Sequence, residues 1–367
     1  MKVVLEKRLE RSRTAALLVP IVSIILALVF GGILLKLAGA DPWETYKAMA
    51  IGAFGAKYSI SETLVKAIPL MLTGLAVAIA FRMLFWNIGA EGQLAVGGIA
   101  AAGVALFWAD KLPAPVVLPA MLVAGFAAGA VWGLIPAALK AYLDVNEIIT
   151  TLMMNYIAIL MVNYLYTGPW KDPQGYGFPG SAQFPEIARL PRLTGRVHLG
   201  IVFAVVAALL IWIVLDRTRW GYEIRVIGEN PRAARYAGMS IARNILLVML
   251  LSGGLAGIAG MSEVAGISHR LQKGLTVGYG YTAIIVAWLA KLNPWGVLLV
   301  AVLLAGLLVG GDQIQISMGL PASVALVLQG AILFFVLGGE IFTQYRVRIV
   351  RTGQEAEAAR PAVEPQA

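Results

Sequence analysis

The residues most able to do chemistry are polar side chains embedded in apolar sequence. The run FRMLFWNIGAEGQLAVGG, residues 81–98, carries Asn87, Glu91 and Gln93 among Gly89, Gly92, Gly97 and Gly98. A carboxylate is expensive in hydrocarbon, so it must face protein or a water-filled route. Glycines in such a run permit close helix contact or a break in the helix. Two readings of Glu91 stand side by side. Either it caps or anchors a half-helix, or it lines a solute path or gate. A second run, GLTVGYGYTAIIVAW at 274–288, brackets Tyr279 between Gly278 and Gly280 and continues with Tyr281 and Thr282. This pattern suits a short or discontinuous helix entering a bilayer. Its unwound backbone can meet a solute only where protein or water satisfies its hydrogen bonds. Phe81, Asn87, Glu91, Gln93, Asn155, Tyr279, Tyr281 and Gln329 are therefore the candidates for a path or gate. Asn155, Asn163, Glu263, Asp312, Gln313 and Gln329 serve equally as interhelical hydrogen-bond partners.

Little else in the chain points to chemistry. His198 and His269 are far apart, and no carboxylate cluster has metal-ligand spacing. The absence of cysteine excludes disulfides, thiolate metal sites and cysteine nucleophiles. No Ser–His–Asp set assembles by spacing, and there is no Walker, zinc-finger or dinucleotide motif. No catalytic residue, metal or cofactor is expected. There is no arginine-rich periodic helix for voltage sensing. VGYG occurs once, at 277–280, without a flanking pore arrangement.

The elements that position these residues are membrane helices. Hydrophobic residues make up 59% of the 367 positions and charged residues 13%, against about 25% charged in soluble domains. Mean hydropathy is +0.81. The apolar runs have the length that crosses a hydrocarbon core of about 30 Å. The first, at 17–35, is too long for a signal-peptide core and has no clear small-residue cleavage site, so it is expected to be retained. The expected fold is all-α: a polytopic transmembrane helical bundle of about ten spans with glycine-broken helices. The spans are placed at 17–38, 62–81, 84–108, 115–139, 148–167, 198–215, 241–262, 276–290, 294–311 and 321–341. They make a transmembrane domain over 17–341, between an N-terminal segment, 1–16, and a flexible tail, 342–367. Trp43, Tyr46, Met49, Ala50 and Ala53 recur at helical spacing and suggest an interfacial helix within 41–61.

Charge orients the spans. Lys2, Lys7, Arg8, Arg11 and Arg13 precede the first span, and Arg346, Arg348 and Arg351 follow the last. Both ends are expected to be cytoplasmic. The same count puts 216–240 inside, with Lys140 and Lys291. It places 168–197 outside, where Trp170, Tyr176, Phe178 and Phe184 sit at the interface or shape a lid. Arg189, Arg192 and Arg196 in that loop depart from the rule. The net charge of +9 fits basic anchors beside anionic lipid rather than nucleic acid.

One polar island interrupts the pattern. GYEIRVIGENPRAARYAGMS, residues 221–240, carries Glu223, Arg225, Glu229, Arg232 and Arg235, with Arg219 just before it. Asn230 is placed as a helix cap, Pro231 as the first helical residue, and Gly238 as the stop. Any cytoplasmic loop near anionic lipid is basic, but a compact cap-and-helix pattern suits docking.

Four ordered stretches carry a resemblance: FWNIGAEGQLAVGG (85–98), NEIITTLMMNYIA (146–158), RTRWGYEIRVIGENPRAARYAGMS (217–240) and LQKGLTVGYGYTAIIVAWLAKLNPWG (271–296). They resemble permease subunits of ATP-binding-cassette importers, in the ribose and branched-chain amino acid permease superfamily. The closest likeness is to its simple sugar and nucleoside branch. The resemblance covers about 62–340. It implies a multi-pass permease of a bacterial or archaeal plasma membrane, importing a nucleoside by alternating access. A simple sugar is the alternative, with a secondary transporter or channel as contrasting mechanisms. It implies partners: an ATP-binding-cassette ATPase, a second permease subunit, an extracytoplasmic substrate-binding lipoprotein, the small-molecule substrate and membrane lipids. It also implies that 217–240 couples to the ATPase through Glu223, Glu229, Asn230, Pro231, Arg232 and Arg235. ATP would be the partner's substrate.

Overall fold

The computed structural model describes residues 2–7 and 13–350. It opens with β1 (Lys2–Lys7), α1 (Arg13–Leu37), α2 (Pro42–Phe54), α3 (Lys57–Arg82) and α4 (Ala90–Phe107). Next come α5 (Ala114–Leu143), α6 (Glu147–Thr167), the short strands β2 (Arg192–Thr194) and β3 (Val197–His198), and α7 (Gly200–Arg217). Two short helices, α8 (Arg219–Glu229) and α9 (Pro231–Tyr236), lead to α10 (Ile241–Glu263), which ends in a π turn, Val264–Ser268. The chain closes with α11 (Tyr279–Leu289), α12 (Pro294–Met318), α13 (Ser323–Gln344) and β4 (Tyr345–Val350). Of the expected tail at 342–367, residues up to 350 fall in α13 and β4, and the rest lies outside the described residues.

The chain divides into two units. One runs to Pro42 and resumes at Val327; the other is Trp43–Leu326. In the first, β1 pairs antiparallel with β4, Lys2 opposite Val350 and Lys7 opposite Tyr345. The Ser23 hydroxyl of α1 donates to the Phe335 carbonyl of α13 at 2.9 Å. In the second, α10 packs against α3, α4 and α5 and forms the centre of the bundle.

The all-helical membrane bundle is as expected, but ten full-length spans are not. Among the described residues, seven helices are long and apolar enough to cross a membrane: α3, α4, α5, α6, α7, α10 with its π turn, and α12. The count reaches eight if the interrupted pair Ile21–Leu37 and Pro42–Phe54 is one span. The stretch 276–290, expected as a span, holds α11, which has only 11 residues. That is about 16 Å of rise, half of a hydrocarbon core. The apolar part of α13, Ser323–Gly339, is also short.

Local chemistry explains where the helices begin. Asn146 starts α6, its side-chain oxygen accepting from the Ile148 and Ile149 amides at 2.9 and 3.2 Å. Asn293 does the same for α12 through Trp295 and Gly296, with Pro294 in the first turn. These are N-caps that satisfy amides the helix leaves open. Small residues explain the packing. A Cβ on Gly257 of α10 would meet the Gly125 carbonyl and Gly129 Cα of α5, and one on Gly97 of α4 would meet the Gly257 backbone. Without a hydrophobic force between helices in lipid, such backbone proximity holds them by van der Waals contact.

Replacing Gly257 with leucine should force this seam apart, because the obstructing atoms are backbone. Overpacking of this kind costs at least about 1–3 kcal/mol. A lower melting temperature of the purified permease, read by intrinsic fluorescence in detergent, is the expected outcome. An unchanged melting temperature would refute the seam as a stability determinant.

Candidate functional site: a half-helix capped inside the membrane

The helix α3 ends at Arg82, and residues 83–89 return non-helically before α4 begins at Ala90. Asn87 fixes the depth of this return. Its amide nitrogen donates to Ser252 Oγ at 2.9 Å, and that hydroxyl donates to the Ala76 carbonyl at 2.6 Å. Ala76 lies six residues above the end of α3, about 9 Å of rise, and Ser252 about 16 Å into α10. The start of α4 is therefore inside the helical bundle rather than at its edge.

Five sequence candidates meet here. Asn87 and Gln93 exchange side-chain hydrogen bonds at 3.1 and 3.2 Å, and Asn87 Oδ1 also accepts from the Gly89 amide at 3.0 Å. Asn155 reaches across from α6. Its oxygen accepts from the Gly92 amide at 2.8 Å, and its nitrogen donates to the Ile88 carbonyl at 2.9 Å and the Tyr281 hydroxyl at 3.2 Å. Glu91 is buried. Its Oε1 accepts from the Gly278 amide at 2.8 Å and its Oε2 from the Gly280 amide at 2.6 Å. These are the opening amides of α11, so the geometry of Glu91 is that of a cap. Gly280 must lack a side chain, because a Cβ there would strike the Glu91 backbone.

This geometry also disposes of a filter. Thr276 precedes VGYG, so the stretch spells TVGYG, and the sequence alone does not set a potassium-type filter aside. Such a filter presents carbonyls to an ion. Here two amides of the same stretch face a carboxylate.

The other candidates fall elsewhere. Phe81 is buried in an aromatic cluster, its ring 5.0 Å from Trp86 and 6.1 Å from Trp288. Tyr279 is buried beside the cap. Gln329 lies on α13, in the other unit, where it is buried. Sequence reasoning did not single out Ser252 or Trp288. Ser252 precedes Gly253 and Gly254, a small-residue context that hints at close packing, but its bond to Asn87 crosses 165 positions.

The polar island forms α8 and α9. Asn230 caps α9, accepting from the Arg232 and Ala233 amides at 3.0 and 3.1 Å, with Pro231 first in the helix and Gly238 at φ +77° past its end. Gly221, Ile224 and Ile227 of α8 are buried, while Glu229, Arg232 and Arg235 are exposed. Glu223 points the other way. Its carboxylate accepts from Asn244 Nδ2 at 2.9 Å, and Trp220 donates to the same asparagine at 2.8 Å, tying α8 to α10. Gly228 lies against the Arg82 carbonyl at the end of α3, where a Cβ would not fit. The Arg82 guanidinium in turn donates twice to the Leu292 carbonyl, each at 3.3 Å, in the turn after α11.

The loop 168–197 braces the opposite end of α10 and the approach to α11. The Ser181 amide donates to the Leu271 carbonyl, Phe184 to His269 and Leu190 to Ala265, at 2.8, 2.7 and 2.9 Å. Arg196 pairs with Glu62 of α3 at 2.9 Å. Phe184 is buried; Tyr176 and Phe178 are exposed.

Fold and site together define a polytopic membrane permease: a helical bundle with a half-helix held inside it and an amphipathic helix pair seated at one end. The chain belongs to the family described as branched-chain amino acid transport system / permease component, whose model matches residues 59–337. It is 39% identical over 344 residues to a guanosine ABC transporter permease protein of Bacillus subtilis, covering 92% of this chain and 96% of that one. It is 38% identical over 353 residues to a glucose ABC transporter permease protein of Haloferax volcanii, covering 92% of each. A nucleoside ABC transporter permease protein of Lactococcus lactis is 30% identical over 336 residues, covering 89% and 92%. The chain is thus an ABC-transporter permease, a non-catalytic subunit. Membership implies the general importer assembly of ATPase, permease pair and substrate-binding protein.

Exchange of Glu91 for glutamine should turn an –NH2 toward one of the two amides that Glu91 now accepts. Hydrogen bonds to a charged group contribute about 1.5–3 kcal/mol, so the start of α11 should open. Faster hydrogen exchange at 278–282 and a loss of transport exceeding the loss of surface expression are expected. Equal loss of transport and expression would leave Glu91 a folding residue only.

Proposed function

We propose that this chain passes a nucleoside inward by alternating access, driven by an ATPase that docks on 217–240. The observation that carries the reading is the contact of Gly228 with the Arg82 carbonyl. It joins the docking segment to the end of α3, directly before the return that leads to Asn87 and Glu91. The Arg82 side chain joins the same point to Leu292, beyond the far end of α11. A displacement of α8 therefore bears on both ends of the half-helix. Closure of the ATPase dimer on ATP would move α8 and α9 and bias the bundle between two packed states.

Within the docking segment the roles divide. Arg232, Arg235 and Glu229 are exposed and meet the ATPase. Asn230 and Pro231 shape α9, and Glu223 anchors α8 through Asn244. ATP is bound by the partner. A second permease subunit and an extracytoplasmic substrate-binding lipoprotein complete the importer, in a bacterial or archaeal plasma membrane. Basic residues flanking the first and last spans support cytoplasmic N- and C-termini. The β1–β4 pairing supports both ends on one face. The relatives that move guanosine and nucleosides support a nucleoside as solute. The glucose relative, nearly as similar, supports a simple sugar as the second reading.

In proteoliposomes holding the whole importer, labelled guanosine uptake should require ATP and exceed that of glucose. The reverse order selects the sugar, and uptake without ATP would point to a secondary transporter or channel. Exchange of both Arg232 and Arg235 for alanine should cut substrate-stimulated ATP hydrolysis several-fold while membrane insertion persists. Unaltered stimulation would remove these arginines from coupling.

A further inference from the structure

Three ionisable side chains outside the cap gather on the side of the bundle away from α8. Lys66 lies 16 residues up α3 from Arg82, about 24 Å of rise. Asp312 lies 18 residues into α12, about 27 Å, and Glu263 ends α10, about 33 Å from Ile241. Lys66 and Asp312 form an ion pair, with side chains 28% and 54% exposed. Glu263 differs from both. It is only 8% exposed, and its Oε2 is enclosed without a hydrogen-bond partner. Lys66 is close enough to act on it electrostatically. Tyr279, between the two amides that Glu91 accepts, lies within the electrostatic reach of Glu263 and Asp312. The cluster therefore adjoins the capped start of α11.

A buried carboxylate oxygen with no donor is costly. In a membrane protein such a group marks a route where a donor arrives during function. We propose that Glu263, with Tyr279 beside it, is a hydroxyl-binding station on the solute route, and that Asp312 holds Lys66 away from it. This rests on the reading of a nucleoside or sugar importer and names the chemistry its site recognises. A ribose and a pyranose share neighbouring hydroxyls, which a carboxylate accepts, and an aromatic ring beside it covers the apolar edge of the sugar. A station of this kind discriminates sharply, because a solute without hydroxyls leaves its oxygens unpaired. Asp312 acts through Lys66 as a positioning residue. Without Asp312 the ammonium is left with Glu263 as its counter-ion and fills the acceptor.

The test uses the intact importer in proteoliposomes, with labelled guanosine, 2′,3′-dideoxyguanosine, glucose and 2-deoxyglucose. The binding protein is the same in every arm, so a change in preference between permease variants belongs to the permease. Glu263→Gln should lower the preference for guanosine over its dideoxy analogue about tenfold or more, the effect of losing hydrogen bonds to a charged group. The analogue's own uptake should move much less. Asp312→Asn, at a half-exposed position, should raise KM for guanosine more than it lowers the maximal rate, and adding Lys66→Met should restore KM. An intact preference in Glu263→Gln, or equal loss of both solutes, would overturn the station; failure of Lys66→Met to restore KM would overturn the role of Asp312. If the unaltered importer takes up glucose but not guanosine, glucose against 2-deoxyglucose gives the same comparison. If it takes up neither, the nucleoside-or-sugar reading fails and the station, which rests on it, fails with it.

Discussion

A helix that begins inside a bilayer exposes amides that no water can satisfy. The start of α11 meets this constraint with Glu91, whose two carboxylate oxygens accept from Gly278 and Gly280. The same residue stands in the first turn of α4. One carboxyl group therefore lies at two helix N-termini, where the backbone dipoles favour negative charge. That arrangement makes an otherwise expensive buried carboxylate tenable, and it binds the half-helix α11 to the start of α4. Asn155 completes the arrangement by holding Gly92 of α4 and Tyr281 of α11 from a third helix.

The surroundings of this cap are of two kinds. On the α10 side, glycines bring α4, α5 and α10 to backbone contact, a packing with no side chains to rearrange. On the α8 side, buried Ile224 and Ile227 and the backbone contacts of Gly221 and Gly228 are joined by the hydrogen bonds of Arg82 to Leu292. Densely packed seams resist continuous deformation. The two ends of α11 are thus each tied to a different part of the bundle, its start to α4 through Glu91 and its end to α3 through Arg82.

Much of this was legible in the chain, and the exceptions have physical causes. The membrane bundle follows from apolar runs, and the Asn230–Pro231 start of α9 from capping chemistry, because both signals are local. Glu91 and the Gly278–Gly280 break were visible as anomalies, but not their pairing, which crosses 187 positions. The bond of Glu223 to Asn244 was not legible, because its partner lies on another helix. The span count failed at α11, since hydropathy registers apolar length and not the place where backbone becomes helical.

The hydrogen-bond record separates the intramembrane polar residues into two groups. Asn87, Gln93, Asn155 and Glu91 each hold partners within the protein on both of their polar atoms. Groups so engaged rigidify a structure and leave nothing to offer a passing molecule without breaking it. Glu263 instead keeps a buried oxygen unengaged. In a medium where every unsatisfied polar atom is penalised, the saturated groups fix position, and on our proposal Glu263 serves recognition. Glu91 holds the amides on either side of Tyr279, at Gly278 and Gly280, so this tyrosine is fixed by the cap itself.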